Sequence, residues 1–196
     1  MRDKYGLESD SYCYANSLVL VNKLNIKNAT LLENAEVEFS TLRAEEYTPS
    51  FEQFNFEHLK SIHFHLFQDI YDWAGETRRV DISKNETRFC NVHRISSQAT
   101  KILTALSLEN NLCDLQLDNF ISRVAYYYCE LNILHPFRDG NGRTERIFFE
   151  ELAINAEFSF DWSKIEKSYW LTANIAGYHG DICPLTDIFK QITTSF

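Results

Sequence analysis

The chain of 196 residues has few of the residues that interrupt or cross-link a fold, with only three prolines and six glycines. No stretch reads as a linker, a low-complexity tract or an internal repeat, so residues 1–196 are expected to form a single domain. The five cysteines (Cys13, Cys90, Cys113, Cys129 and Cys183) are odd in number, widely spaced and without a CxxC pair. That excludes a paired disulfide framework and a zinc clip, and fits buried thiols in a reducing compartment. Nowhere do 18 apolar residues run together, so no membrane span is expected. The opening MRDKYGLESDSYCY has no apolar stretch of the signal-peptide kind, and the expected location is cytoplasmic. Positive charge is short as well: 19 Lys and Arg against 28 Asp and Glu leave a net charge of −9. An acidic chain is not expected to bind nucleic acid generally, although a local basic pocket made of Arg138, Arg143 and Arg146 is compatible with it.

What is present is apolar and aromatic: 44% hydrophobic residues and 14% Phe, Trp and Tyr, enough for one dense core. Most of the chain carries helical period. Leu18, Val21 and Leu24 predict a short helix in 16–26, and Asn28 is placed to cap a second, with Leu31, Ala35, Phe39 and Leu42 on its inner face. Leu59, Ile62, Leu66, Ile70 and Trp73 predict a helix stopping at Gly75. Further helices are expected at 94–110, 118–134, from about 141 through Phe148, Leu152 and Ala156, and at 163–176 and 185–194. Only residues 78–90, RRVDISKNETRFC, alternate with period two, which predicts a short β-hairpin flap. The expected fold is therefore all-α, seven to eight helices with one hairpin.

One stretch breaks the helical pattern. HPFRDGNGR, residues 135–143, combines a histidine, a carboxylate, two glycines and two arginines. Pro136 disfavours helical geometry at His135, and apolar spacing resumes at Ile147, so the stretch joins one helix end to another helix start. A helix N-terminus offers unpaired N–H groups and positive dipole, Gly140 and Gly142 admit a ligand close to the backbone, and Arg143 and Arg146 add charge. Together they describe a cradle for phosphates. Asp139 fits such a region if it holds Mg²⁺ against phosphate oxygens, and His135 has the pKa range of a proton acceptor. Base, metal ligand and anion cradle point to transfer from a nucleotide to a hydroxyl.

The run from His135 to Arg146 resembles the signature of the Fic family, HPFx(D/E)GNGRxxR, at every specified position. IYDWAG (70–75), Ile82, Lys84 and Phe89 of the flap, and ANxxGxxGD (173–181) are similar to it as well. The resemblance implies the Fic fold, with a motif loop at 135–146 and a flap at about 78–90. It implies a protein adenylyltransferase that moves AMP from ATP to a Tyr, Ser or Thr hydroxyl of a target protein. By position, His135 would deprotonate the hydroxyl, Asp139 would hold Mg²⁺, and Gly140, Asn141 and Gly142 would supply the anion hole. Arg143 and Arg146 would grip the outer phosphates, Phe137 would anchor the loop in the core, and Asn174 would lie near the nucleoside. Ser83, Lys84 and Asn85 would contact nucleotide or target, the flap pairing with the target by β-augmentation; the family often has glycine where Asn85 stands.

The resemblance extends to compact bacterial Fic toxins, some of which modify the ATPase subunits of type II topoisomerases. The inhibitory pattern (S/T)xxxE(G/N) is absent: Thr41–Glu46 and Thr48–Gln53 come nearest and end in the wrong residue. A separate small antitoxin is therefore the expected source of an inhibitory helix. Two alternatives remain: a Doc-like kinase, although lysine is the family residue there where Gly142 stands, and a catalytically silent binding protein with the same fold. His63 and His65 diverge on a helix and are expected to be unrelated rather than a metal pair. Tyr126–Tyr128, Trp73 and Trp170 are expected to be core.

Overall fold

The computed structural model describes residues 10–84 and 86–196. Seven α-helices appear in that range: α1 (Ala29–Glu45), α2 (Phe56–Phe67), α3 (Ile95–Leu108), α4 (Leu117–Leu134), α5 (Asn141–Asn155), α6 (Lys167–Tyr178) and α7 (Cys183–Ile192). They surround α4, whose Phe120, Val124, Ala125 and Leu131 are all fully buried. Helices α3, α5, α6 and α7 pack against it, α2 packs on α5, and α1 lies on α2. Strands β1 (Ser83–Lys84) and β2 (Thr87–Arg88) form the hairpin expected in 78–90, pairing antiparallel with Lys84 opposite Thr87. None of the helices among the described residues is long and apolar enough to cross a membrane.

The helix expected in 16–26 does not form. Val19 and Val21 are β-branched, and Asn16 and Asn25 take left-handed φ of 57° and 54°, values that a helix does not allow. The Asn22 side chain satisfies the local backbone instead, donating to Leu20 O at 2.9 Å and Ile26 O at 2.7 Å and accepting from Ile26 N at 2.9 Å. The segment folds back on itself through a bridge between Cys13 and Leu20.

Helix α1 starts where Asn28 predicts, the side chain accepting from Leu31 N at 3.0 Å, but its inner face is only partly the expected one: Ala35 and Phe39 are half-buried, Phe39 against the core. Leu31 and Leu42 are exposed at 59% and 58%, while Leu32, Glu36 and Ser40 are buried. Counting apolar residues misses this face because two of its three members are polar and meet polar partners inside. Helix α2 ends eight residues before Gly75, although Ile70 beyond it is still fully buried. Downstream, Asp161 accepts from Ser163 N and caps a single 3₁₀ turn at Trp162–Lys164, so α6 begins only at Lys167. Helix α7 stops at Ile192 because Thr193–Ser195 (β4) pairs with Phe158–Phe160 (β3).

Candidate functional site

A cleft of about 510 Å³ opens between the α4–α5 loop, the flap and α6, within the range of sites that hold small organic ligands. His135, Asp139, Gly140, Asn141, Gly142, Arg143, Arg146, Lys84 and Asn174 all line it. Phe137 does not line it; it is 1% exposed and points into the core. Ser83, on β1, does not line the cleft, and Asn85 lies outside the described residues. Among the described residues the cleft wall carries Lys84, Arg143, Arg146 and Lys167 against the single carboxylate of Asp139, so it is locally positive on an acidic protein.

The loop is held from within. Helix α4 ends at Leu134, and His135 caps it in the left-handed region at φ 46°, the residue before proline being excluded from helical geometry. Asn141 clamps the turn, its Oδ1 accepting from Phe137 N and its Nδ2 donating to Phe137 O, both at 2.9 Å. The Phe137 ring stacks on His63 with centroids 3.9 Å apart. His63 accepts from Gly75 N at 2.8 Å on Nδ1 and donates to Asp139 O at 3.0 Å through Nε2. Burial holds its pKa down at about 3, so it is a neutral brace beneath the loop. His65 instead bonds Arg43 O, which confirms that the two histidines act apart.

The two glycines of the loop serve different needs. Gly140 has φ +80°, and a Cβ there would strike the Phe67 ring; Gly142 has open space in front of it. Only Gly142 keeps the approach to the helix N-terminus clear, where the N–H groups of Asn141, Gly142 and Arg143 precede the first helical bond, from Thr144 N to Gly140 O at 3.1 Å. Asp139 is 5% exposed, and its Oδ1 accepts from Gly140 N at 2.7 Å.

His135 is fixed on two sides. A carbonyl can only accept, so the 3.1 Å contact with Asn132 O places the proton on Nδ1 and the lone pair on Nε2. Phe89 of the flap stacks on its ring at 3.9 Å and 15°. Burial pushes its pKa down to about 3, the Asn132 carbonyl opposing this and the Arg78 charge adding to it. The imidazole is therefore neutral at pH 7.

The motif arginines separate. Arg143 lines the cleft with its guanidinium over the Phe67 ring at 4.5 Å, and Arg146 lies over Trp162 at 5.2 Å. Arg138 contradicts the expected basic pocket: it is 1% exposed and turns away to pair with Asp10 at 3.1 Å. Arg138 precedes α5 and is buried beside Phe137, whereas Arg143 and Arg146 ride on α5 and line the cleft. Trp170 and Tyr128, expected only as core, also line the cleft. Asn174 is engaged on both ends, accepting from Asn132 Nδ2 at 2.8 Å and donating to Trp170 O at 2.7 Å.

Sequence reading missed Arg78. Its side chain is fully buried, and it donates to His135 O at 2.9 Å, Val80 O at 2.8 Å, Leu134 O at 3.4 Å and Cys90 O. One guanidinium thus joins the end of α4 to both roots of the flap. A basic residue followed by alternating strand residues gave no sign of this, because the acceptors are backbone carbonyls.

Residues 53–153 match the family model described as Fic/DOC. The chain is 41% identical to the probable protein adenylyltransferase Fic of Escherichia coli K12, covering 99% of this chain and 97% of that protein. It is 38% identical to protein adenylyltransferase VbhT of Bartonella schoenbuchensis over 98% of this chain and 41% of that longer protein. Among solved structures, BepC of Bartonella tribocorum with bound AMPPNP superposes with a TM-score of 0.87 at 29% identity, covering 94% of this chain and 97% of that one.

Proposed function

The chain belongs to the Fic/DOC family, and from that premise we propose that its cleft transfers AMP from ATP to a hydroxyl side chain of another protein. Relatives that match nearly the whole chain are named probable protein adenylyltransferase Fic and protein adenylyltransferase VbhT, which supports an AMP-transferring enzyme. The observation that carries the assignment to this cleft is the tautomer of His135: a neutral imidazole with its lone pair on Nε2, at the mouth of a helix N-terminus flanked by Arg143 and Arg146.

In this reading Nε2 of His135 accepts the hydroxyl proton as the oxygen attacks the α-phosphorus of ATP. The new oxygen–phosphorus bond forms as the bond to the β-phosphate oxygen breaks, and pyrophosphate departs with that electron pair. The N–H groups of Asn141, Gly142 and Arg143 take the triphosphate oxygens, and the arginines neutralise the departing charge. Asn174 and the apolar side of α6 receive the nucleoside, and Ser83, Lys84 and Asn85 meet nucleotide or target. Asp139, which lines the cleft, would hold a magnesium ion, which is commonly bound by one or two carboxylates together with substrate phosphates and would there neutralise phosphate charge. The flap's short strands leave backbone edges for an incoming target segment.

The finer reading, a toxin restrained by a separate small antitoxin and directed at topoisomerase ATPase subunits, rests on the compact bacterial relatives and on the absent (S/T)xxxE(G/N) pattern. The test is incubation of purified protein with Mg²⁺, lysate or purified topoisomerase subunits, and ATP labelled at the α- or γ-phosphate. Label carried only from the α-phosphate, and lost in His135→Ala, is expected. Label from the γ-phosphate alone indicates a kinase instead, and none from either indicates a binding protein.

A further inference from the structure

Arg143 is gripped from a helix more than 100 positions earlier in the chain. Its Nη1 donates to Ser40 Oγ at 2.8 Å and to Glu36 O at 3.1 Å, and Nη2 stands 3.5 Å from Glu36 Oε2. Glu36 and Ser40 lie one turn apart on α1 and are 5% and 4% exposed, so a helix that could have presented leucines inward presents these instead. The other carboxylate oxygen of Glu36 accepts from the Tyr71 hydroxyl at 2.5 Å. Burial first, then the Glu36 charge, pushes the Tyr71 hydroxyl well above its ordinary pKa, so it remains a donor. Below the guanidinium plane the Phe67 ring closes the remaining side.

From this arrangement we infer that Glu36 and Ser40 are positioning residues for the outer phosphates of the nucleotide, acting through Arg143. Nη1 carries two hydrogens, and both have acceptors on α1. The donors that remain for a ligand are on Nε and Nη2, so α1 selects which edge of the fork faces the cleft. A long arginine side chain otherwise loses considerable rotamer freedom when it grips a ligand; here that ordering precedes binding, which favours affinity. Glu36 is not an inhibitory glutamate of the (S/T)xxxE(G/N) kind, since Leu32 and Val37 stand at the flanking positions.

The inference rests on the reading of Arg143 as a phosphate ligand, and the test separates the two. Calorimetric titration of ATP with Mg²⁺, and separately of AMP, is made on the unaltered protein, Arg143→Ala, Glu36→Gln and Ser40→Ala, each with a melting curve. AMP lacks the outer phosphates and supplies a readout that a merely structural defect would shift along with ATP. Glu36→Gln and Ser40→Ala are each expected to weaken ATP by roughly tenfold, the scale of one hydrogen bond to a charged group, while AMP binding holds. If Arg143→Ala lowers ATP selectively but neither α1 variant does, the positioning role is overturned and the phosphate role stands. If Arg143→Ala leaves the ATP-to-AMP ratio unchanged, the phosphate role itself falls. Tighter ATP binding in Glu36→Gln would show that α1 holds the arginine back, and would also overturn the inference.

Discussion

The loop at 135–146 and the flap at 78–90 face each other across one cleft and are held in opposite ways. In the loop, Asn141 ties the Phe137 backbone and Thr144 donates to Gly140 O, while His63 of α2 bonds Asp139 O and stacks on Phe137 from beneath, and the backbone has little room to move. The flap has two strands of two residues each, clamped at its roots by Arg78 and touched on β2 by the Tyr178 hydroxyl, which accepts from Arg88 N at 3.2 Å. A group that must meet one atom is fixed by internal bonds; a surface that must admit another chain keeps its backbone edges open. Arg78 is where the two regimes meet, since it binds the loop's first carbonyl and both flap roots.

The sharpest way to break this comparison is Arg78→Met, which leaves the carbonyls of Val80, Cys90, Leu134 and His135 without their shared donor. Removing one side of a buried charged network costs about 3–5 kcal/mol, and in a chain of this size a fall in Tm of roughly 10 °C follows. Arg78→Lys keeps the charge but cannot fork to all four, so an intermediate Tm is expected. Melting indistinguishable from the parent in both variants would mean that flap and loop are independent. Within the loop, Gly140→Ala forces a side chain to positive φ against Phe67 and is expected to cost about 1–3 kcal/mol. Gly142→Ala is expected to leave Tm within roughly 2 °C, the effect of an ordinary surface change, yet to weaken ATP binding by filling the space before the helix N-terminus. Equal melting of the two variants would erase the distinction between the glycine that shapes the loop and the one that admits the ligand.

The legible parts of the molecule are those where one local signal decides. Asn28 caps α1, Pro136 ends α4 and the motif places α5, and the structure agrees on all three. The place of the hairpin was legible from the period-two stretch 78–90, although Val80 and Ile82, which carry that alternation, precede the paired residues Ser83–Lys84 and Thr87–Arg88. What could not be read depends on partners distant in sequence. Glu36 and Ser40 look like solvent-facing positions of an amphipathic helix until Arg143 arrives, and Arg138 looks like its motif neighbours until Asp10 draws it inward. The 16–26 segment misled because helical spacing of Leu18, Val21 and Leu24 says nothing of Asn22, whose amide replaces the helical bonds. Asn85, at the turn of the flap, lies outside the described residues.

The smallest expected effect concerns the one place where the flap reaches the chemistry of the loop. Phe89 covers the His135 ring at 3.9 Å, and burial is the main reason the imidazole's pKa sits near 3. The proposed reaction needs the neutral ring, so kcat/KM falls as pH drops through that pKa. With the parent protein the profile is expected to be flat from pH 8 down to 5. Phe89→Ala admits water, raises the pKa toward the ordinary 6.5 of histidine, and brings an acid limb into view between pH 7 and 5. At pH 8 the base is neutral in both proteins, and only the stacking contact is lost, worth about 0.5–1.5 kcal/mol or a two- to tenfold fall in rate. Phe89→Leu, which keeps the cover and loses the stack, should show the rate loss without the acid limb. If the acid limb does not move in Phe89→Ala, the loop keeps its histidine dry unaided, and the flap's part in the reaction reduces to holding the target.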